Sequence, residues 1–434
     1  MNVLLFALGS HGDVHPFVGI GRRLRERGHA VAVAANEYFK PLVDHARLEF
    51  IECGTAKQYT ALAKNRDLWH PMRSAQAVFG GTARYLRPMY ELARDFAASR
   101  DDAVIAASSL AIGARVAQDK HGIPLATVHL SPSIFQSVYE LPEVSGLRLV
   151  PKWTPRAVKG LLWRFANGTM DSIIAPSLNA LRGELGMPPV RNVIRDYWHS
   201  PVLTIGLFPD WFARPQPDWP TQLKLTGFPL YDEPEITPVS SGLDAFLREG
   251  EPPIAFTPGS AMWQAHRFFD ASVETCVRLN RRGLLLTRHT DHLPARLPPG
   301  VIHVPYAPFS ALLGRVAAFV HHGGIGSSAQ ALASGVPQLV TPFTHDQPDN
   351  AARIKRLGVA DFLPASRYTA DAAVPRLRSL LTNPAVTRAC RDVKSRFVGV
   401  DALGQTCDLL ETLAPIAQAP EFGVEPRMNA DARG

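Results

Sequence analysis

Four cysteines in 434 residues, at positions 53, 276, 390 and 407, with no Cys-x-x-Cys pair, leave no basis for a disulfide framework or a thiolate zinc site. Reduced thiols in the cytoplasm are the expectation. Long apolar runs are missing as well: none approaches the ~20 residues that cross a bilayer, and residues 1–8 lack the basic flank and the length of a secretory signal core. Peripheral contact with the inner membrane stays open, because 46 Lys and Arg against 39 Asp and Glu leave a net charge of +7. No Lys/Arg block is interleaved with aromatics, which argues against a nucleic-acid partner. No Asp-x-Asp pair offers a divalent metal two carboxylates, so no metal is expected. Neither Gly-x-Gly-x-x-Gly nor Gly-Lys-Ser/Thr follows the first apolar run, which excludes a dinucleotide fingerprint and a P-loop at that turn.

What the chain does have is alternation. Residues 3–8 and 30–35 read as buried strands around a helix at 16–27 with Pro16 at its start. Residues 103–107 and 125–129 read as strands around a helix at 111–121. A helical stretch from about 153 to 185 places Leu161, Leu162, Phe165, Met170 and Ile174 on one face. Proline-dense segments then occupy 208–220 and 229–238, and the alternation restarts with strands near 254–257, 284–287, 302–304, 318–321 and 338–341. At 434 residues the chain is too long for one core. The expected architecture is α/β: two Rossmann-like parallel-sheet domains facing across a cleft. The boundaries read from the sequence are a first domain at 1–218, a linker at 219–240, a second domain at 241–395, a C-terminal helix at 396–418 packing back on the first domain, and a polar tail at 419–434.

The segment His322-Gly323-Gly324-Ile325-Gly326-Ser327-Ser328 follows an apolar strand and opens a helix. Free N–H groups and the positive end of the helix dipole make such a turn an anion site. Gly335-Val336-Pro337 and Asp346-Gln347 come after it, the latter offering groups for hydroxyls. A diphosphate carrying a sugar is the ligand this order suggests.

With Asn350 included, the same order resembles the inverting, nucleotide-sugar-dependent glycosyltransferases of GT-B architecture, the UDP-glycosyltransferase superfamily (family 1), over nearly the whole chain. Within it the chain is similar to bacterial rhamnosyltransferases of rhamnolipid synthesis, through residues 10–16, 227–232, 306–308 and 345–351. Sterol and macrolide glycosyltransferases share several of these elements. The resemblance implies that His322, Gly323, Gly324, Gly326 and Ser327 hold the donor diphosphate, with Ser260 of the Phe256-Thr257-Pro258-Gly259-Ser260 loop assisting. Tyr306 and Ala307 would hold the nucleobase, Gln330 the ribose, and Asp346 and Gln347 the sugar. His321 is a second candidate at the strand end. No cofactor is implied, because the nucleotide sugar is a co-substrate.

The family places its acid/base residue in the turn after the first strand, and Asp13 falls there, flanked by His11 and His15. A carboxylate in that turn would take the proton of an acceptor hydroxyl; capping the helix that follows is a compatible task. Two departures stand out. The later strand that often supplies a second acid reads Val104-Ile105-Ala106-Ala107-Ser108, without one. Gln330 stands where plant-type members carry Glu for the ribose diol, which suggests tolerance of a 2′-deoxyribose nucleotide. The acceptor is expected to be a lipophilic hydroxyl compound, with Trp69, Met72, Phe79, Tyr85, Met89, Tyr90 and the 163–174 face as candidate lining or as core. The expected reaction moves rhamnose or glucose from a dTDP- or UDP-sugar to such an acceptor, a hydroxyalkanoyl lipid among them. Alternatives are a UDP-glucosyltransferase of sterols, macrolides or phenolics, a sugar-nucleotide epimerase, and a non-catalytic sugar-nucleotide-binding protein.

Overall fold

A computed structural model describes residues 1–70, 73–144, 147, 149–232, 239–260, 262 and 265–413. Seven parallel strands form the first sheet: β1 (Asn2–Ala7), β2 (Ala30–Ala35), β3 (Glu49–Glu52), β4 (Ala103–Ser108), β5 (Leu125–His129), β6 (Leu203–Gly206) and β7 (Leu223–Leu225). Their spatial order is β3-β2-β1-β4-β5-β6-β7. Six strands form the second: β8 (Ile254–Thr257), β9 (Gly283–Leu286), β10 (Val301–Val304), β11 (Ala318–His321), β12 (Gln338–Val340) and β13 (Ala360–Phe362), in the order β10-β9-β8-β11-β12-β13. Every pairing is parallel. Helices cover both faces, so strands such as β4 and β8 are buried along their whole length and are apolar up to their last residues, Ser108 and Thr257. Each large side chain sealed in these layers, Phe6 and Phe17 in one, Phe256 and Phe319 in the other, contributes roughly 1.5–3 kcal/mol by leaving water.

The order reverses between β1 and β4 in the first sheet and between β8 and β11 in the second. Such switch points open a crevice beyond the carboxyl ends of the strands. Asp13 follows β1, Gly259 follows β8 and His322 follows β11, so the sequence motifs sit at the two switch points.

Three local expectations change. The first helix runs His11–Glu26, with Pro16 inside it rather than at its start. Ser10 starts it early, because the Asp13 carboxylate reaches back to the Ser10 N–H. Within the stretch read as a linker, residues 223–225 form the edge strand β7; residues 233–238 lie outside the described residues. In the long helix Arg156–Glu184, Leu161 and Phe165 face solvent at 64% and 79% exposure, while Ile174, Leu178 and Leu181 enter the core. In its first half the buried positions are the polar Lys159 and Asn167.

The helix Ala402–Glu411 buries Cys407 and Leu410 in the first domain's core. Arg27 binds Asp408 at 2.7 Å and Glu411 at 3.0 Å. Residues 414–434, including the tail read from 419, lie outside the described residues. No helix among the described residues is long and apolar enough to cross a membrane.

Candidate active site

Asp13 is the third residue of its helix and sits partly buried where β1 ends. Its Oδ2 accepts the Ser10 backbone N–H at 2.7 Å and the Ser10 hydroxyl at 2.9 Å. Both bonds fall on one oxygen, so the carboxylate caps the helix through Oδ2 and Oδ1 takes no part in the cap. Burial raises its pKa above the ordinary carboxylate value, and the two Ser10 bonds oppose the rise. His11 packs against Tyr38, Phe39 and His15. Burial lowers His11 to about 3 and His15 to about 4, with the Arg288 charge adding to both shifts. Neither ring is protonated near neutral pH.

Across the cleft, His322 stands between two glycines. A Cβ on Gly259 would lie 2.8 Å from its ring and a Cβ on Gly324 2.4 Å from its Nε2, so both positions are glycine because the imidazole fills the space. Its Nδ1 is sealed from solvent and has no hydrogen-bond partner among the described residues. Burial lowers its pKa to about 4, so it offers a neutral N–H. His321 is fully buried, stacks on Phe319 and meets Gln338 Oε1 through Nε2 at 2.9 Å. Its Nδ1 accepts the Gly323 N–H at 3.2 Å, which shapes the turn and removes that N–H from the free donors. Gly323 itself has φ +88°, and a Cβ there would press on Val340 at 2.7 Å. The helix Ile325–Ser334 then leaves the N–H groups of Ile325, Gly326 and Ser327 without an intrahelical partner. Ser260 is exposed at the rim.

Tyr306 is partly buried beside the buried Ala307, and the Arg288 guanidinium lies 5.4 Å from its ring. Gln330 is 8% exposed and opens onto a crevice of about 300 Å³ that Leu230, Asp232, Ser310 and Lys394 also line. Asp346 stands at the N-cap position of the helix Gln347–Arg356 without a side-chain capping bond. Burial and the nearby Asp13 charge push its pKa up to about 7, against the Asn350 hydrogen bond. The Gln347 amide oxygen accepts the Phe343 N–H at 2.8 Å, leaving its NH₂ for a ligand. His345 holds φ +61°, and Trp69 of the first domain packs against its ring and that of Phe343. Among the described residues, no group of three His, Cys, Asp or Glu side chains could hold a metal ion.

Two family descriptions fit this arrangement, one in each domain. "Glycosyltransferase family 28 N-terminal domain" matches residues 3–140, and "Erythromycin biosynthesis protein CIII-like, C-terminal domain" matches residues 283–399. O-mycaminosyltylonolide 6-deoxyallosyltransferase of Streptomyces fradiae is 32% identical over 425 residues, covering 95% of this chain and 98% of the relative. The chain belongs to the UDP-glycosyltransferase superfamily. It is a sugar-nucleotide glycosyltransferase. Two solved structures share the fold. The glycosyltransferase of kitacinnamycin has a TM-score of 0.71 at 23% identity, over 95% of this chain and 99% of that one. The spinosyn rhamnosyltransferase SpnG, complexed with thymidine diphosphate, has 0.66 at 16%, over 95% and 100%.

In this glycosyltransferase Asn350, named in the motif without a role, and Arg288, not named at all, both help to shape the site. Asn350 donates to Gly323 O at 3.0 Å and to Asp346 Oδ2 at 2.8 Å, tying the glycine turn to the Asp346 loop. Its spacing of four from Asp346 was the available signal. Arg288 had none, because only the fold carries it across to His11 and His15. Of the acceptor candidates, Met89 and Tyr90 are buried core. Trp69 packs on the second domain, and Phe79 and Tyr85 are partly buried beside the core. The Trp163 indole is bonded to Ser137 O. Met72 lies outside the described residues.

Proposed function

We propose that this glycosyltransferase moves a 6-deoxyhexose, rhamnose included, from a dTDP-sugar to a hydroxyl of a lipophilic natural product by a single inverting displacement. The observation that carries the reading is the placement of Asp13 at the switch point of the first sheet and of His322 at that of the second, with Asn350 joining Asp346 to the glycine turn. A donor lying with its diphosphate on His322 and the N–H groups of 325–327 would present its sugar to Asp346 and Gln347, and its anomeric carbon toward Asp13. Asp13 Oδ1 takes the acceptor proton as the oxygen attacks, and the diphosphate leaves into the glycine turn. Tyr306 supplies the face for the base. The buried amide of Gln330 asks for no second ribose hydroxyl as a glutamate would, and thymidine diphosphate in the spinosyn enzyme supports the deoxyribose choice.

A donor panel of dTDP-rhamnose, other dTDP-6-deoxyhexoses and UDP-glucose against macrolide, sterol, phenolic and hydroxyalkanoyl acceptors, with products weighed by mass spectrometry, tests this. dTDP should compete at least tenfold better than UDP, and Gln330→Glu should narrow that gap. A UDP preference in the unaltered protein would sink the dTDP assignment. The hydroxyalkanoyl acceptor of the rhamnolipid likeness is one arm of that panel, and UDP-glucose transfer is the second reading.

Peripheral membrane contact has a candidate surface. Trp153, Leu161 and Phe165 stand exposed beside Lys152, Arg156 and Arg164, and residues 152–170 contain no acid. Sedimentation with anionic vesicles should exceed that with zwitterionic ones. Changing Trp153, Leu161 and Phe165 to Ser should abolish the excess, and equal sedimentation before and after the change removes the proposal.

A further inference from the structure

The strand ends of the first sheet carry more polar chemistry than the reaction above uses. β1, β4 and β5 are neighbours in that order, so Asp13 after β1, Ser109 after β4 and residues 129–131 at the end of β5 lie in a row along the cleft. At the far end of the row Ser131 Oγ meets Asn350 Oδ1 at 3.4 Å, and Asn350 holds Asp346. Ser109 therefore lies between the candidate base and the sugar loop.

Ser109 Oγ is 2.8 Å from His129 Nδ1, and His129 Nε2 is 2.9 Å from His199 Nδ1. The two imidazoles are locked. His129 is fully buried against Phe135 and Trp198, and His199 stacks on Phe135 at an interplanar angle of 14°. The Trp198 indole donates to the Ser109 carbonyl and fixes the backbone of the turn. Burial lowers both histidine pKa values, so each ring carries one N–H. Only two arrangements satisfy such a chain. Either Ser109 gives its hydrogen to His129 and shows lone pairs outward, or it accepts from His129 and its own hydrogen is free. Of the three groups only Ser109 is partly exposed. A chain of neutral groups is ill suited to remove a proton, and Asp13 is near for that step.

We propose that the Ser109 hydroxyl binds an oxygen of the acceptor and holds it beside Asp13, with His129 and His199 as positioning residues that fix the orientation of the hydroxyl. The inference rests on the glycosyl-transfer reading and adds to it a residue that binds the acceptor.

Initial rates with donor and acceptor varied separately, and acceptor-independent hydrolysis of the donor, distinguish the two ideas. Ser109→Ala should raise the acceptor KM, or lower kcat/KM for the acceptor, by roughly three- to tenfold, the effect of one neutral hydrogen bond. Its donor KM and donor hydrolysis should stay within twofold, and Ser109→Thr should restore most of the loss. His199→Phe, which keeps the stack on Phe135, should fall between Ser109→Ala and the unaltered protein. Unchanged acceptor kinetics in Ser109→Ala overturn the proposal, and so does a parallel loss of donor hydrolysis. Failure of the unaltered protein to transfer sugar to any acceptor overturns the glycosyl-transfer reading first, and this inference with it.

Discussion

Asp13→Asn should cut kcat by at least roughly 10²-fold while nucleotide binding stays within twofold. The substitution is nearly isosteric, and an asparagine oxygen can still accept the Ser10 N–H that Asp13 Oδ2 binds at 2.7 Å. The helix start should therefore survive, with a stability change of less than about 1 kcal/mol from the cap. What disappears is the basicity of Oδ1. Burial places the Asp13 pKa above the ordinary carboxylate value, so in the unaltered enzyme kcat/KM for the acceptor should rise with pH through that elevated pKa, as the base ionises. The Asn variant should lack this acid limb. A second consequence concerns Asp346, whose pKa of about 7 is partly due to the Asp13 charge. A carboxyl raised in the folded state lowers stability as pH climbs from about 4 through 7, because folding then opposes its ionisation. Removing the Asp13 charge relieves part of that loss, so the melting temperature of Asp13→Asn relative to the unaltered protein should increase over the same pH window. Replacing Asp13 also removes its own burial-raised ionisation, which acts in the same direction. Full turnover in the variant would move the base elsewhere; a flat difference in melting temperature would mean that neither Asp13's burial nor its charge on Asp346 opposes ionisation in the folded protein.

The fold was legible because parallel strands buried on both faces are written as continuous apolar runs. The bounds of β2, β5, β8 and β11 coincide with those runs. The glycine turn was legible for a related reason: a positive φ at Gly323 and an imidazole against Gly324 admit no side chain, and such constraints print themselves as glycines. The failures share a cause. Pro16 looked like a helix start because the competing signal, an Asp reaching back to Ser10, is weaker by eye than a proline. Leu161 and Phe165 looked like a core face because periodicity does not say whether a partner exists. The Ser109–His129–His199 chain spans 91 positions, and nothing local marks three such residues as neighbours. Arg288 belongs with them, since its place opposite His11 and His15 depends on how the two sheets face each other.

His322→Phe should lower kcat by roughly 10²–10³, about 2.7–4 kcal/mol, the usual cost of losing one donor to a developing oxyanion. The ring volume is kept between Gly259 and Gly324, so collapse of the turn does not confuse the result. His322→Ala, by contrast, would leave a void beneath Gly259. His322 is partly buried and its pKa is lowered to about 4, so a neutral imidazole N–H is what the leaving group meets. The incoming negative charge also favours imidazolium, so the His322 pKa should rise from about 4 when nucleoside diphosphate binds. Proton uptake on binding, followed by calorimetry in buffers of different ionisation enthalpy, would register it, and the uptake should vanish in His322→Phe. Gly324→Ala offers the complementary test. Its φ of −58° suits alanine, so the new Cβ, 2.4 Å from Nε2, acts only by displacing the imidazole, and donor KM should rise with little change in melting temperature. If His322→Phe keeps kcat within threefold and Gly324→Ala binds donor normally, the leaving diphosphate is held by the helix N–H groups alone.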